Sequence, residues 1–114
     1  MVPNPKFVIF KGNNGKDYFR LNAKNGQQIL SSQGYASKAS CKNGIESVRK
    51  NAPLDERYER KQAKNGKHFF NLLASNGQVI GSSQMYASTD SMNKGIESVK
   101  KNAPDSPVED ETAS

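Results

Sequence analysis

Few residues of this chain have the chemistry to build a reactive centre. His68 is its sole histidine and Cys41 its sole cysteine in 114 residues. A structural or catalytic zinc site draws on clustered His and Cys ligands, and a thiol nucleophile needs a base placed to take its proton. The residue 51 positions before His68 is Asp17, and the residue 51 positions after Cys41 is Met92. His68 therefore reads as a strand residue at the surface and Cys41 as a small buried hydrophobe. Glu46 and Glu97 could pair as an acid and a base if symmetry joined them. Each, however, stands three or four positions before basic residues, Arg49 and Lys50 or Lys100 and Lys101, so ordinary helix-surface ion pairs explain both. The run Ser31-Ser32-Gln33-Gly34-Tyr35-Ala36-Ser37 has one glycine, replaced by Met85 in the later copy, too few for a phosphate-cradling loop. Its Ser, Gln and Tyr read as capping and loop-packing residues. No catalytic, metal or cofactor-binding residue is assigned, and no cofactor or enzymatic activity is expected.

The 51-residue offset used in these comparisons is an internal duplication. It superposes Gly15 on Gly66, Tyr35 on Tyr86, Gly44 on Gly95 and Pro53 on Pro104 without a gap, and 25 of the 39 residues from 15 to 53 are identical to their counterparts. One domain over residues 1–104 is expected, with repeat 1 over about 6–53 and repeat 2 over about 57–104, because half the chain could hardly fill a core alone. Two copies suit a monomer with internal pseudo-twofold symmetry better than a solenoid.

Within each copy, Asn-Gly pairs at 14–15, 25–26, 65–66 and 76–77 separate short alternating segments. This is the pattern of β-hairpins. Three-residue loops ending in the glycine place Phe19, Leu21, Ala23, Ile29 and Ser31 on one sheet face, with Phe70, Leu72, Ala74, Ile80 and Ser82 as counterparts. The same register turns Phe7 and Ile9 inward, with Tyr58 and Arg60 in their places; Arg60 suits a core poorly.

Helices are predicted over Lys38 to Lys50 and Thr89 to Lys101, capped by Ser37 and Ser88 and stopped by Asn-Ala-Pro at 51–53 and 102–104. Cys41, Ile45, Val48 and Ala52, and Met92, Ile96, Val99 and Ala103, form one apolar stripe on each helix. Gly44 and Gly95, each costing about 1 kcal/mol relative to Ala in a helix, imply close approach to a neighbouring backbone. The expected fold is α+β: two tandem β-β-β-α repeats forming one antiparallel sheet with both helices packed on one face.

Residues 105–114 hold four acidic residues and no basic one, so residues 1–104 hold 17 basic and 7 acidic residues, a charge of +10. The tail has the composition of a solvated, disordered segment. The basic body would attract nucleic acids, acidic proteins or acidic membrane surfaces without choosing among them. No apolar run approaches the roughly 20 residues that cross a bilayer, and the start lacks the features of a secretory signal. A cytoplasmic location without membrane association is expected, in keeping with a single cysteine.

The motif Ala-x-Asn-Gly-Gln at 23–27 and 74–78, followed by Gly-Ile-x-Ser-Val-x-x-Asn-Ala at 44–52 and 95–103, resembles the YegP-like family of small bacterial proteins. The resemblance covers nearly the whole chain outside the tail. It implies modules that occur once and dimerise or twice in tandem, one continuous antiparallel sheet with helices on one face, and an exchange of terminal strands. It brings a domain of unknown function and no catalytic residues.

What remains for function is the sheet face turned away from the helices, to which the register assigns Val8, Phe10, Tyr18, Arg20 and Leu30, and Phe69, Asn71, Leu73 and Val79. Phe10, Tyr18, Arg20, Phe69, Asn71 and Leu73 form the candidate binding face. A non-enzymatic binding or protein-interaction module is the expected function, with a protein partner on this face. The alternative is a nucleic acid, whose bases would stack on the aromatics while Arg and Lys hold phosphates.

Overall fold

The computed structural model describes residues 2–112; Met1, Ala113 and Ser114 lie outside them. Each Asn-Gly turn closes as expected. The glycines at 15, 26, 66 and 77 take φ of 81°, 87°, 83° and 85°, the left-handed region where a Cβ is penalised. Each loop is three residues long: Gly12 N–H donates to the Lys16 carbonyl at 2.9 Å and Ala23 N–H to the Gln27 carbonyl at 2.7 Å, and the later copy repeats both closures from Ala63 and Ala74. The loop asparagines reinforce them, as where Asn14 Oδ1 accepts the Lys16 N–H at 3.0 Å.

These turns join β1 (Lys6–Lys11), β2 (Asp17–Asn22) and β3 (Gln28–Ser31), then β4 (Tyr58–Gln62), β5 (His68–Leu73) and β6 (Val79–Ser82). Helix α1 (Lys38–Asn51) follows β3 and α2 (Thr89–Asn102) follows β6. Short 3-10 turns at Asp55–Arg57 and Ala103–Asp105 follow the helices. Both caps form as predicted: Ser37 Oγ accepts the Ser40 N–H and Ser88 Oγ accepts the Ser91 N–H, each at 3.1 Å.

The strands lie in the order β4-β5-β6-β3-β2-β1-β7, where β7 (Val108–Asp110) comes from the tail. The two copies meet at β3 and β6 through the pair Ser31 and Ser82, residues that are themselves 51 apart. Phe7, Phe19, Leu21, Phe70 and Leu72 from the strands and Ile45, Val48, Ile96 and Val99 from the helices share one buried cluster. Helix α1 contacts β2, β5 and β6, and α2 contacts β3 and β5, so each helix spans both repeats. Burying these side chains together is the main source of stability, since separate halves would leave the β3–β6 seam exposed.

Five expectations need correction. First, the sheet is mixed, because β7 runs parallel to β1 with Val108 beside Phe7 and Asp110 beside Ile9. Second, the acidic tail is therefore ordered through β7. Val108 packs against the core cluster, while Glu109 meets Lys6 at 2.9 Å and Asp110 meets Lys38 at 2.8 Å. Composition argued for solvation, but Glu109, Asp110 and Glu111 each have a cation beside them. Third, the ladder shifts by one residue between Leu21 and Asn22. This bulge brings Leu30 opposite Leu21 on the core face and turns Ser31 outward beside Arg20, the reverse of strict alternation. Fourth, Val8 faces away from the main cluster yet is fully buried, flanked in its row by Arg20 and Glu109. Fifth, what approaches Gly44 and Gly95 is a side chain: a Cβ at either would overlap the hydroxyl of Tyr35 or Tyr86. Those rings stack on Phe19 and Phe70 at centroid distances of 6.1 and 6.4 Å.

Arg60, the misfit of the register, also finds its explanation. Its counterpart Ile9 is covered by β7, whereas β4 is the open edge of the sheet and Arg60 is exposed there. Its guanidinium reaches Asn93 on α2 at 3.1 Å and Asp55 at 3.3 Å. A charge on the core side of an edge strand discourages pairing with another sheet.

Candidate binding face

The reactive residues weighed above stay apart. His68 is half-buried, and its backbone exchanges two hydrogen bonds with Tyr86, as Asp17 does with Tyr35. Cys41 is fully buried, and burial, aided by Asp17 and Asp110, pushes its thiol up to about 11. That disfavours the thiolate a nucleophile requires. Glu46 pairs with Arg49, and Glu97 with Lys100 at 3.2 Å, each within its own helix. Among the described residues no group of three or more His, Cys, Asp or Glu is placed to hold a metal ion, and no helix is long and apolar enough to cross a membrane.

The outward sheet face is organised by one row through all seven strands: Glu59, Asn71, Ser82, Ser31, Arg20, Val8 and Glu109. Its centre is polar and internally bonded. Asn71 Nδ2 donates to Glu59 Oε1 at 3.0 Å, and Ser82 Oγ donates to Asn71 Oδ1 at 2.7 Å. The antiparallel directions of β2, β3, β6 and β5 put Tyr18, with its β1 partner Phe10, on the same side of this row as the paired Leu73 and Val79. Phe69, beside Lys61, falls on the other side. Of the six candidate residues, then, Phe10, Tyr18 and Leu73 share one flank, Arg20 and Asn71 lie in the central row, and Phe69 is separate. All six are half-buried.

Two further features shape this face. Phe10 and Tyr18 stack at 5.7 Å, with the Arg20 guanidinium 5.0 Å above the Phe10 ring, so these aromatics are partly satisfied by one another. Arg20 also approaches Glu111 at 3.8 Å. Lys6, Arg20 and Lys61 are thus matched in number by Glu59, Glu109 and Glu111, while Lys16, which lies with the Tyr18 ring beside Gly34, leaves a small positive excess at the Tyr18 flank. The Lys6 ammonium and the Val2 N–H hold the Glu109 carboxyl below its ordinary range, and Lys38 with Thr112 does the same for Asp110. Sequence reasoning missed these tail contacts; the only signal was Val108, a lone apolar residue among acids.

Fold and site together define a small two-repeat α+β protein. The domain of unknown function family DUF1508 matches residues 13–59 and again 63–110. The chain belongs to this family. It is 57% identical over 102 residues to the UPF0339 protein in the ptx operon 5' region of Stutzerimonas stutzeri, covering 90% of this chain and 92% of that one. It is 51% identical over 106 residues to the UPF0339 protein YegP of Escherichia coli K12, covering 93% and 96%. The solution NMR structure of yegP from E. coli, a protein of unknown function, superposes with a TM-score of 0.92 at 48% identity, covering 100% of this chain and 98% of that one. The UPF0339 protein SO3888 of Shewanella oneidensis superposes at 0.87 and 44% identity, covering 92% and 89%. None of these relatives carries an assigned biochemical activity in its name.

Proposed function

We propose that this chain is a non-enzymatic module that binds a protein partner through the outward sheet face, centred on the flank formed by Phe10, Tyr18, Leu73 and Val79. The observation that carries this reading is the combination of accessible apolar groups, with Val79 39% exposed, beside an internally hydrogen-bonded polar row. Such a surface suits protein recognition, where an apolar centre is framed by satisfied polar groups. The reading includes both helices packing on the opposite face, supported by their shared cluster with Phe19, Leu21, Phe70 and Leu72. It also includes a monomer in a reducing cytoplasmic compartment, supported by the single buried cysteine.

The experiment is capture from a bacterial lysate with the wild-type chain and with a Leu73→Glu/Val79→Glu variant. A protein retained by the first and lost by the second supports the reading, and retention by both contradicts it. Nucleic-acid binding through the same face is a second reading, favoured by the Phe10–Tyr18 stack under Arg20. It is the weaker one, because Arg20 and Lys6 are already engaged by Glu111 and Glu109. It requires oligonucleotide binding that falls steeply with salt.

A further inference from the structure

We propose that the groove between α2 and the β2–β3 hairpin is a binding site for small phosphate-bearing anions. This goes beyond the sheet-face reading and is independent of it, since the groove is built from helix and hairpin residues.

The pseudo-twofold arrangement produces two such grooves, each pairing a helix of one repeat with a hairpin of the other. One, of about 570 Å³, lies between α2 and the hairpin at Ala23. Its twin, of about 670 Å³, lies between α1 and the hairpin at Ala74. Much of the lining is identical in the two: Ala23 and Ala74, Glu97 and Glu46, Ser98 and Ser47, Lys101 and Lys50, Asn102 and Asn51. The helix identities outside the apolar stripes thus have a shared location. The scaffold of the groove is common to both copies.

Its charge is not. The first groove adds Lys24 and Lys94, where the twin has Ser75 and Asn43. Glu97 lies 3.2 Å from the Lys100 ammonium, which it shares with Asp55 at 2.8 Å. Among the described residues, Lys24, Lys94 and Lys101 form no ion pair. Three ammonium groups outside any ion pair therefore line one concave site with the single carboxylate of Glu97, one from the hairpin and two from α2 residues seven apart. In the twin, Arg49 is taken by Glu46 and by the Ser106 carbonyl, leaving Lys50. Asn102 Nδ2 donates to the carbonyl and hydroxyl oxygens of Ser98, which leaves the Ser98 hydroxyl hydrogen for a ligand oxygen. Clustered ammonium charges in a groove concentrate multivalent anions, and Lys supplies phosphate with a mobile point charge.

The test is a titration of the full chain with inorganic pyrophosphate, followed through backbone amide NMR signals. Saturable shifts centred on Ala23, Asn25, Ser98 and Asn102 are expected. A Lys24→Ser/Lys94→Asn variant, which installs the twin's own residues, should fold and bind about tenfold more weakly. The reciprocal Asn43→Lys/Ser75→Lys variant should gain shifts at the twin groove. The proposal is overturned by an absence of saturable binding, by unchanged affinity in the first variant, or by equal weakening in a Lys64→Ser/Lys67→Asn control, which would mark bulk charge alone.

Discussion

Leu30 lies against Gly81 where the two repeats meet, and the two are counterparts in the duplication. A Cβ on Gly81 would stand 2.8 Å from both Leu30 Cγ and Cδ2. Near a pseudo-twofold axis there is room for one leucine, so the copies have to differ there. Gly81→Leu should destabilise the fold by about 1–3 kcal/mol through overpacking. Leu30→Gly/Gly81→Leu should recover part of that loss. Urea denaturation of the two variants and Leu30→Gly measures the coupling; simple additivity would show that the residues do not share this space.

Gly44 and Gly95 yield a second expectation. Alanine is the better helix former by about 1 kcal/mol, yet a methyl group at Gly95 meets the Tyr86 hydroxyl and Cζ. Gly95→Ala should therefore lower stability, and Gly95→Ala/Tyr86→Phe should lower it less. A Gly95→Ala variant with a raised thermal midpoint would contradict the packing described.

The tail strand should be sensitive to acid. The folded pKa values of Glu109 and Asp110 lie below their ordinary values, so their contribution is complete above about pH 5 and fades as pH falls through the lower folded values. The Glu111 N–H, which donates to the Ile9 carbonyl at 2.8 Å, should lose hydrogen-exchange protection below pH 4 ahead of β2 and β5 amides. Equal loss across the sheet would contradict a separately held strand.

Arg60 should protect the open edge. Arg60→Ile, which copies the residue of the other repeat, removes the guard charge from β4 and should raise self-association in concentration-dependent light scattering. Unchanged monomer behaviour at high concentration would assign the guarding role to Glu59 and Lys61.

Much of this architecture was legible. Asn-Gly pairs marked the hairpins, and Ser37, Ser88 and the Asn-Ala-Pro stops bounded helices that end within a residue of the prediction. Strict alternation failed at the bulges, which carry Leu30 inward and Ser31 outward. The adjacent apolar pair Ile29-Leu30 was a hint, but Gly81 erased it in the second copy. The tail was misread because composition reports solvation and is blind to Lys6 and Lys38, brought beside it from distant parts of the chain. The grooves were hidden for the same reason. Identity at Glu46 and Glu97 was visible, but the pairing of each helix with the other repeat's hairpin exists only in the folded molecule. Of the candidate face, the register placed Tyr18, Phe10 and Leu73 outward without revealing that Phe69 sits across the polar row from them.

The most direct test of the sheet-face account is the methyl NMR spectrum of Leu73 and Val79 during titration with the protein recovered by wild-type capture. The account predicts saturable shifts of these methyls and of the Tyr18 ring, with the Leu73→Glu/Val79→Glu variant unresponsive. Methyls that remain still while signals of α1 or α2 move would place the partner on the helices instead and contradict it.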